Sequence, residues 1–190
     1  MTSDPEIDYG PLQKLIGHWQ GNKGTDLAPE PDGEENTAYY ETLIFEEAGT
    51  VTNAEQQTLA VLRYHQQVHR LSDAKALHDE IGYWMWDGAE QIIMHSLTIP
   101  RAVCILAGAT YAPSPATTER IELKVSARID DPDGSIIQSP VMRDKAKTIG
   151  FEHQINVDST SLTYKQTMVL DIYGKIFDHR DENTLSPCGH

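Results

Sequence analysis

The chain has 190 residues, of which 39% are hydrophobic and 23% are charged, and this balance is typical of a globular protein. Its 15 Lys and Arg residues stand against 29 Asp and Glu residues, so the formal net charge is −14. Because polyanions and anionic lipid surfaces are bound through basic patches, this charge argues against nucleic-acid and membrane partners and favours a small-molecule ligand.

The N-terminal residues 1–10 lack the basic and apolar regions of a signal peptide, and no run of about eighteen apolar residues occurs. We therefore expect a cytoplasmic protein. The two cysteines, Cys104 and Cys188, lie far apart and show neither disulfide nor zinc-site spacing. The oligomeric state is left open, and a homodimer is one of the states that the sequence allows.

The first predicted element is a short helix at residues 10–17, which carries apolar side chains at helical spacing. The remaining elements are strands, predicted at residues 38–47, 58–71, 76–99, 101–111, 120–134 and 148–174, with turn residues inside the longer runs. Two segments rich in Pro, Gly and short polar residues, 22–36 and 112–118, are predicted to be loops. The pattern indicates an antiparallel meander.

A meander of eight to ten strands is better stabilised as a closed barrel than as an open sheet with exposed edges. Gly17 and Trp19 form a G-x-W motif directly after the helix, an arrangement that resembles lipocalin-like barrels. We therefore predict an all-β fold over residues 1–190 as a single domain. It is a closed antiparallel meander β-barrel of about ten strands, lipocalin-like and fatty-acid-binding-protein-like, with the N-terminal helix plugging one end. Such a barrel has room for one small ligand.

One face of the strand predicted around residues 77–87 carries a histidine, a carboxylate and two indoles, at His78, Glu80, Trp84 and Trp86. If this face points inward, Trp84 forms a flat aromatic wall of the cavity and His78 contributes a titratable group. Otherwise, His78 is a hydrogen-bonded strand histidine with no ligand.

Pro100 marks the end of the strand that contains His95, because proline cannot donate to the strand ladder. Arg101 follows at once. It is a candidate partner for an anionic ligand group such as a carboxylate, or else a surface arginine near acidic loops.

His179 follows a strand whose alternation places Met168 on an apolar face, and Gly174 permits a turn between them. A neutral imidazole at the rim of an apolar cavity is a suitable axial ligand for haem iron, and Asp178 or Asp181 could orient its other nitrogen. The alternative is that residues 178–183 form a salt-bridged surface turn.

Three groups of residues, in this order, together resemble the nitrobindin family of haem-binding β-barrels over roughly residues 10–185. The opening group is Gly17, Trp19 and Gly21, the central group is His78, Glu80, Gly82, Tyr83 and Trp84, and the closing group is Leu162, Tyr164, Met168 and His179. The chain departs from the family at residues 22–36, where a longer acidic segment replaces a glycine-rich one.

The resemblance implies a barrel that holds haem b, with His179 as the ligand of the iron. The other residues expected at the cofactor are His78, Trp84, Met168 and Arg101. The implied activity is binding of nitric oxide or isomerisation of peroxynitrite to nitrate, and an enzymatic role of this kind is left open.

The alternative function belongs to a different class. In a metal-free carrier or sensor of lipocalin type, Arg101 or Arg180 would meet the acid group of an apolar, fatty-acid-like ligand, and His179 would only shape the rim. A flat slot beside His179 favours haem, whereas a long channel that ends at an arginine favours the fatty-acid-like ligand.

Overall fold

The computed structural model describes residues 7–113 and 119–189. Over these residues the chain forms one 3₁₀ helix (Gly10–Leu15), one short α-helix, α1 (Pro140–Lys145), and eleven strands. The strands are β1 (Gly17–Glu30), β2 (Gly33–Asn53), β3 (Gln57–Arg70), β4 (Ala76–Asp87), β5 (Ile92–Ile99), β6 (Val103–Thr110), β7 (Ile121–Arg128), β8 (Ile136–Gln138), β9 (Ala146–Val157), β10 (Leu162–Ile172) and β11 (Lys175–Pro187). Residues 114–118 of the loop predicted at 112–118 lie outside the described residues.

Ten of the described strands close into the predicted antiparallel barrel. Each strand pairs with the next one along the chain, apart from β8, and β11 returns to pair with β1. β6 and β7 share a single residue pair, Gly108 with Ser126, and the short β8 pairs with β6 nearby. The Gln138 side chain then joins β8 to β9 through two hydrogen bonds of 2.9 Å with the backbone of Thr148.

The 3₁₀ helix closes one end of the barrel, as the sequence predicted. Leu12 and Leu15 are fully buried, and the Trp19 indole donates a hydrogen bond of 2.8 Å to the Leu15 carbonyl oxygen. Gly10 has a φ of +52°, and a Cβ there would lie 2.3 Å from Nε1 of Trp86. Glycine is therefore required where the helix meets the tryptophan.

The strand alternation predicted for β4 is confirmed, because Glu80, Trp84 and Trp86 are buried while Ile81 and Tyr83 are about half exposed. The inward face of β10 is likewise the predicted one, with Met168 among its buried residues. The barrel interior therefore contains the side chains that the sequence places there.

The loop prediction for residues 22–36 is wrong. This segment forms the end of β1 and the beginning of β2, and Asp26 pairs with Thr37 in regular register. Two features reconcile its loop-like composition with a strand. A bulge between Gly21 and Gly24 brings Gly24 so close to Tyr39 that an added Cβ would lie 2.1 Å from its ring. The strand is also paired on both sides, by β2 and β11, which overrides the local preference.

Strand structure also continues beyond the predicted end at residue 174. Residues 178–183 lie within β11, so the alternative of a surface turn is wrong, and His179 pairs with Met168 of β10. Side-chain exposure alternates along this strand, with Asp178 and Arg180 outside and His179 and Asp181 inside. Polar residues on both faces conceal this alternation in the sequence.

In the described part of the chain, no helix is both long and apolar enough to cross a membrane.

Candidate functional site

A cavity of about 400 Å³ opens into the barrel at the end opposite the 3₁₀ helix. His78, near the beginning of β4, lines it, whereas the helix packs on Trp86 near the end of that strand. The apolar wall includes Val68, Ile99, Val103, Met168, Leu170 and Ile172. The carboxylates, guanidinium groups and imidazoles of the lining are those of Asp26, Glu30, Glu35, Asp181, Arg70, Arg101, His78 and His179. The cavity thus combines an apolar wall with a dense set of ionisable groups, as ligand sites commonly do.

Four of the five predicted cofactor residues meet in this cavity. They are His179, His78, Met168 and Arg101. Trp84 does not line it, because its indole is buried in the core and stacks on His95 with the ring centroids 4.1 Å apart. The predicted contact of Trp84 with a cofactor stays a prediction.

His179 projects from β11 into the cavity between two carboxylates. Its Nε2 lies 2.7 Å from Oδ1 of Asp26 and 3.8 Å from Oδ2 of Asp181. Asp26 of β1 and Asp181 of β11 are paired across neighbouring strands, so the backbone register fixes this arrangement. Among the described residues, Nδ1 of His179 has no hydrogen-bond partner.

The two carboxylates control the charge of this imidazole. Burial alone would lower the pKa of His179, but the hydrogen bond to Asp26 and the charge of Asp181 outweigh it and raise the pKa. Burial raises the pKa of Asp181 to about 7, in spite of the opposing charge of His179. One imidazole therefore faces two carboxylates, an excess of negative charge inside the barrel.

A second cavity histidine, His78, begins a hydrogen-bonded chain that runs into the core. His78 Nε2 lies 3.2 Å from Oε2 of Glu80, whose Oε1 accepts a hydrogen bond of 2.5 Å from the Tyr64 hydroxyl. The Tyr64 oxygen lies 2.8 Å from Nε2 of His95. Because Tyr64 gives its only proton to Glu80, Nε2 of His95 is the donor in that contact.

The opposite charges of His78 and Glu80 stabilise the part of this hydrogen-bonded series that lies nearest the cavity. Burial alone would raise the pKa of Glu80, but the hydrogen bond and charge of His78 lower it to about 2. Burial opposes protonation of His78, yet its hydrogen bond to Glu80 raises its pKa. His78 and Glu80 therefore form an ion pair between the cavity and the core.

The inner histidines have no such partner. Burial, together with the charge of His153, lowers the pKa of His95 to about 3, and burial lowers that of His153 to about 4. Among the described residues, His95 Nδ1, both ring nitrogens of His153 and Gln166 Oε1 are buried without a hydrogen-bond partner. Both imidazoles are consequently neutral at physiological pH.

A third network surrounds the buried carboxylate of Glu41. Its oxygens accept hydrogen bonds from Gln66 (2.6 Å), Asn183 (2.7 Å) and Tyr164 (3.1 Å). The Tyr39 and Tyr164 hydroxyls are 2.6 Å apart. Burial raises the pKa of Glu41 in spite of these donors. Because Gln66, Tyr39 and Tyr164 also line the cavity, this network holds polar cavity groups in fixed positions.

The cavity arginines bear on the choice between the predicted functions. Arg101 and Arg70 line the cavity. Arg180 does not, because it lies on the outer face of β11 and pairs with Asp178 at 2.9 Å. His179 and Arg101 line the same cavity. The position of Arg101 therefore does not distinguish a haem site from a site for a fatty-acid-like ligand.

Sequence reasoning missed Asp26, which is the hydrogen-bond partner of His179 at a separation of 153 residues. It lies in the segment that was predicted to be a loop. The alternation around Asp26 and the Asp32–Gly33 dipeptide, a hairpin-turn signal, could have identified the strand pair.

A family model described as a THAP4-like, heme-binding beta-barrel domain matches residues 8–186. The chain belongs to this family, in agreement with the predicted resemblance to nitrobindins and with the expected haem cofactor. Among solved structures, the crystal structure of Rv2717c from M. tuberculosis is similar, with 23% sequence identity and a TM-score of 0.72. The match covers 98% of this chain and 100% of that one, and it shows a shared fold. No curated protein sequence matches the chain significantly.

The cavity residues fit a haem group. A histidine that ligates a metal commonly donates its other ring N–H to a carboxylate, and the hydrogen bond between His179 and Asp26 supplies this partner while one ring nitrogen stays uncommitted. The apolar side chains around Met168 suit the macrocycle. Arg70 and Arg101 also line the cavity, and their guanidinium groups could hold the two propionates.

Proposed function

We propose that this barrel binds haem b in the cavity, with His179 as the axial ligand, and that it acts on nitrogen oxides by binding nitric oxide or isomerising peroxynitrite to nitrate. The observation that carries the proposal is the His179 imidazole, which faces the cavity with one nitrogen held by Asp26 and the other uncommitted. When bound, haem with a single protein ligand supplies an open coordination position for a small oxidant.

The residues of the chain have separate tasks in this proposal. Asp26 fixes the orientation of His179, and Met168 contributes to an apolar wall that limits water around the cofactor. Arg70 and Arg101 bind the propionates. His78, kept protonated by Glu80, offers a cationic donor to an anionic substrate in the same cavity.

The test is a titration of the purified protein with ferric haem, followed by absorption spectroscopy. We expect a saturable Soret band with one haem per chain that is lost in His179→Ala. The matched control is His65→Ala, because His65 also pairs with a carboxylate, Asp79 at 3.1 Å, but lies outside the cavity. Arg101→Ala is expected to weaken haem binding by no more than about fivefold, the size of one exposed ion pair.

Activity requires a separate measurement. The haem-loaded protein should accelerate the decay of peroxynitrite to nitrate, and His179→Ala should not. Haem binding without acceleration would refute the proposed activity and leave the haem site intact. If no saturable Soret band appears, haem binding is refuted, and a fluorescent fatty acid tests the metal-free carrier, with weaker binding in Arg101→Ala as the expected sign.

A further inference from the structure

The side chains around His179 form an oxygen-rich row that haem ligation through one imidazole nitrogen does not explain. Gln166 of β10 pairs with Asp181 of β11, Asp181 pairs with Asp26 of β1, and Asp26 pairs with Thr37 of β2. All four line the cavity. Paired side chains on one face of a sheet have Cβ atoms about 5 Å apart, so the row is set by the backbone of four rigid strands.

The ligand atoms are spaced for a metal ion. One nitrogen of His179 and one oxygen from each of Asp26 and Asp181 all lie within 4.8 Å of one another. The distances from His179 Nε2 to the two carboxylates are 2.7 and 3.8 Å. At metal–ligand bonds of about 2.1 Å, neighbouring ligand atoms lie about 3.0 to 3.4 Å apart, so shifts of less than about 1 Å bring these three groups onto one ion.

Gln166 provides an independent sign that a group is needed here. Its side chain is 5% exposed, it lines the same cavity, and its Oε1 is buried without a hydrogen-bond partner among the described residues. A buried amide oxygen with no donor is unfavourable, and an ion or an ion-bound water beside Asp181 would satisfy it.

The charge of the cavity points the same way. Two carboxylates, those of Asp26 and Asp181, face the single imidazole of His179. A divalent cation would offset this excess. The imidazole among the oxygen ligands favours a first-row transition ion over Ca²⁺ or Mg²⁺.

We propose that Asp26, Asp181 and His179 form a binding site for a divalent transition-metal ion such as Zn²⁺ or Co²⁺, with Gln166 as an additional oxygen donor. The site does not depend on haem. It is exclusive with haem, because both ligands need the His179 imidazole, and Asp26 changes from a hydrogen-bond acceptor to a metal ligand.

The test uses the full haem-free chain, without an affinity tag and after treatment with a chelator. Titration calorimetry with ZnCl₂ should show one ion per chain with micromolar affinity, and CoCl₂ should give visible d–d bands from a site with mixed nitrogen and oxygen ligands. Asp26→Asn and Asp181→Asn should each weaken binding of Zn²⁺ by at least about tenfold. The matched control is Asp178→Asn, which lies on the outer face of the same strand and should bind Zn²⁺ as the wild type does.

Haem titrations of the same variants separate this site from the proposed function. His179→Ala should lose both the Soret band and Zn²⁺ binding, and saturating Zn²⁺ should slow or reduce haem uptake in the wild type. Normal haem binding without stoichiometric Zn²⁺ binding would overturn the cation site and leave the haem proposal in place. If Zn²⁺ binding is retained in both aspartate variants, the ion binds to surface histidines or thiols, and the proposed cation site is likewise overturned. Circular dichroism of each variant checks the fold, and the two aspartates provide independent tests.

Discussion

The barrel interior contains two pairs of histidines with opposite electrostatic environments. His78 and His179 line the cavity and each contacts a carboxylate, so their pKa values are raised even though burial works in the other direction. His95 and His153 lie in the core, where none of the described carboxylates contacts them directly, and burial lowers their pKa values to about 3 and about 4. The Trp84 indole packs against both core imidazoles.

The comparison shows that burial alone does not determine the charge of an interior histidine. The position of a carboxylate determines this charge, because a buried ion pair offsets the desolvation cost of an imidazolium that has no partner. Tyr64 lies at the boundary, since it contacts Glu80 on the cavity side and His95 on the core side. The barrel is thereby divided into a charged end, suited to binding, and a neutral end, suited to packing.

The largest effect is expected from Glu80→Ala, which removes the carboxylate between the charged end and the neutral end of the barrel. Glu80 is buried, and its loss leaves His78 without its counter-charge and Tyr64 without its acceptor. We expect the free energy of unfolding at pH 7 to fall by about 3 to 5 kcal/mol, as for other buried ion pairs that lose one partner. Urea denaturation measures this, and Glu80→Gln should recover part of the loss. A change below about 1 kcal/mol would contradict the ion pair.

Tyr64→Phe should have the next largest effect at neutral pH. It removes one hydrogen bond to a charged carboxylate and leaves Nε2 of His95 without an acceptor. The expected loss in the free energy of unfolding is about 1.5 to 3 kcal/mol. Phe45 stacks on Tyr64, so the variant keeps this aromatic contact, and Phe45→Leu measures the packing contribution separately.

His153→Phe tests the neutral end through its pH dependence. The pKa of His153 in the folded state, about 4, lies below the ordinary value of 6.5, so the unfolded chain binds a proton first as the pH falls. The stability associated with this histidine is complete above pH 6.5 and is lost as the pH falls from there to about 4. Between pH 7.5 and pH 5 this loss amounts to about 2 kcal/mol, and we expect the variant to lack it. Denaturation at several pH values is the measurement, and an unchanged slope would mean that His153 is charged in the fold.

The smallest effect is expected for Asp178→Asn. This substitution removes an ion pair on the outside of β11 that is about as short as the buried pair of His78 and Glu80. Asp178 and Arg180 are 2.9 Å apart, but about half of each side chain is exposed to water. Solvent screens such pairs, so stability should change by no more than about 0.5 kcal/mol, and the change should vanish at high salt. A loss comparable to that of Glu80→Ala would show that ion-pair length, and not burial, decides the energy.

Much of the fold could be predicted from local pattern. The alternation in β4 and β10 grouped the side chains that share a face, and the helix before Trp19 identified the closed end. These features depend on neighbours within a few residues, where the period of the side chains reports the exposed and buried faces directly. The segment around Asp26 was misjudged because its Pro, Gly and acidic composition is typical of a loop, and only pairing with β2 and β11 makes it a strand.

Sequence patterns and family motifs predicted the class of the fold, the approximate number of strands and the grouping of side chains on each strand face, and they nominated His179 as a candidate site residue. The groups that meet His179 became known only from the closed barrel. Asp26 comes from the opposite end of the chain, and barrel closure between β1 and β11 brings it to 2.7 Å. The structure also separated Arg101, in the cavity, from Arg180, on the outer surface. Contacts of this kind depend on strand register across the closing seam of the barrel, and no local sequence pattern specifies that register.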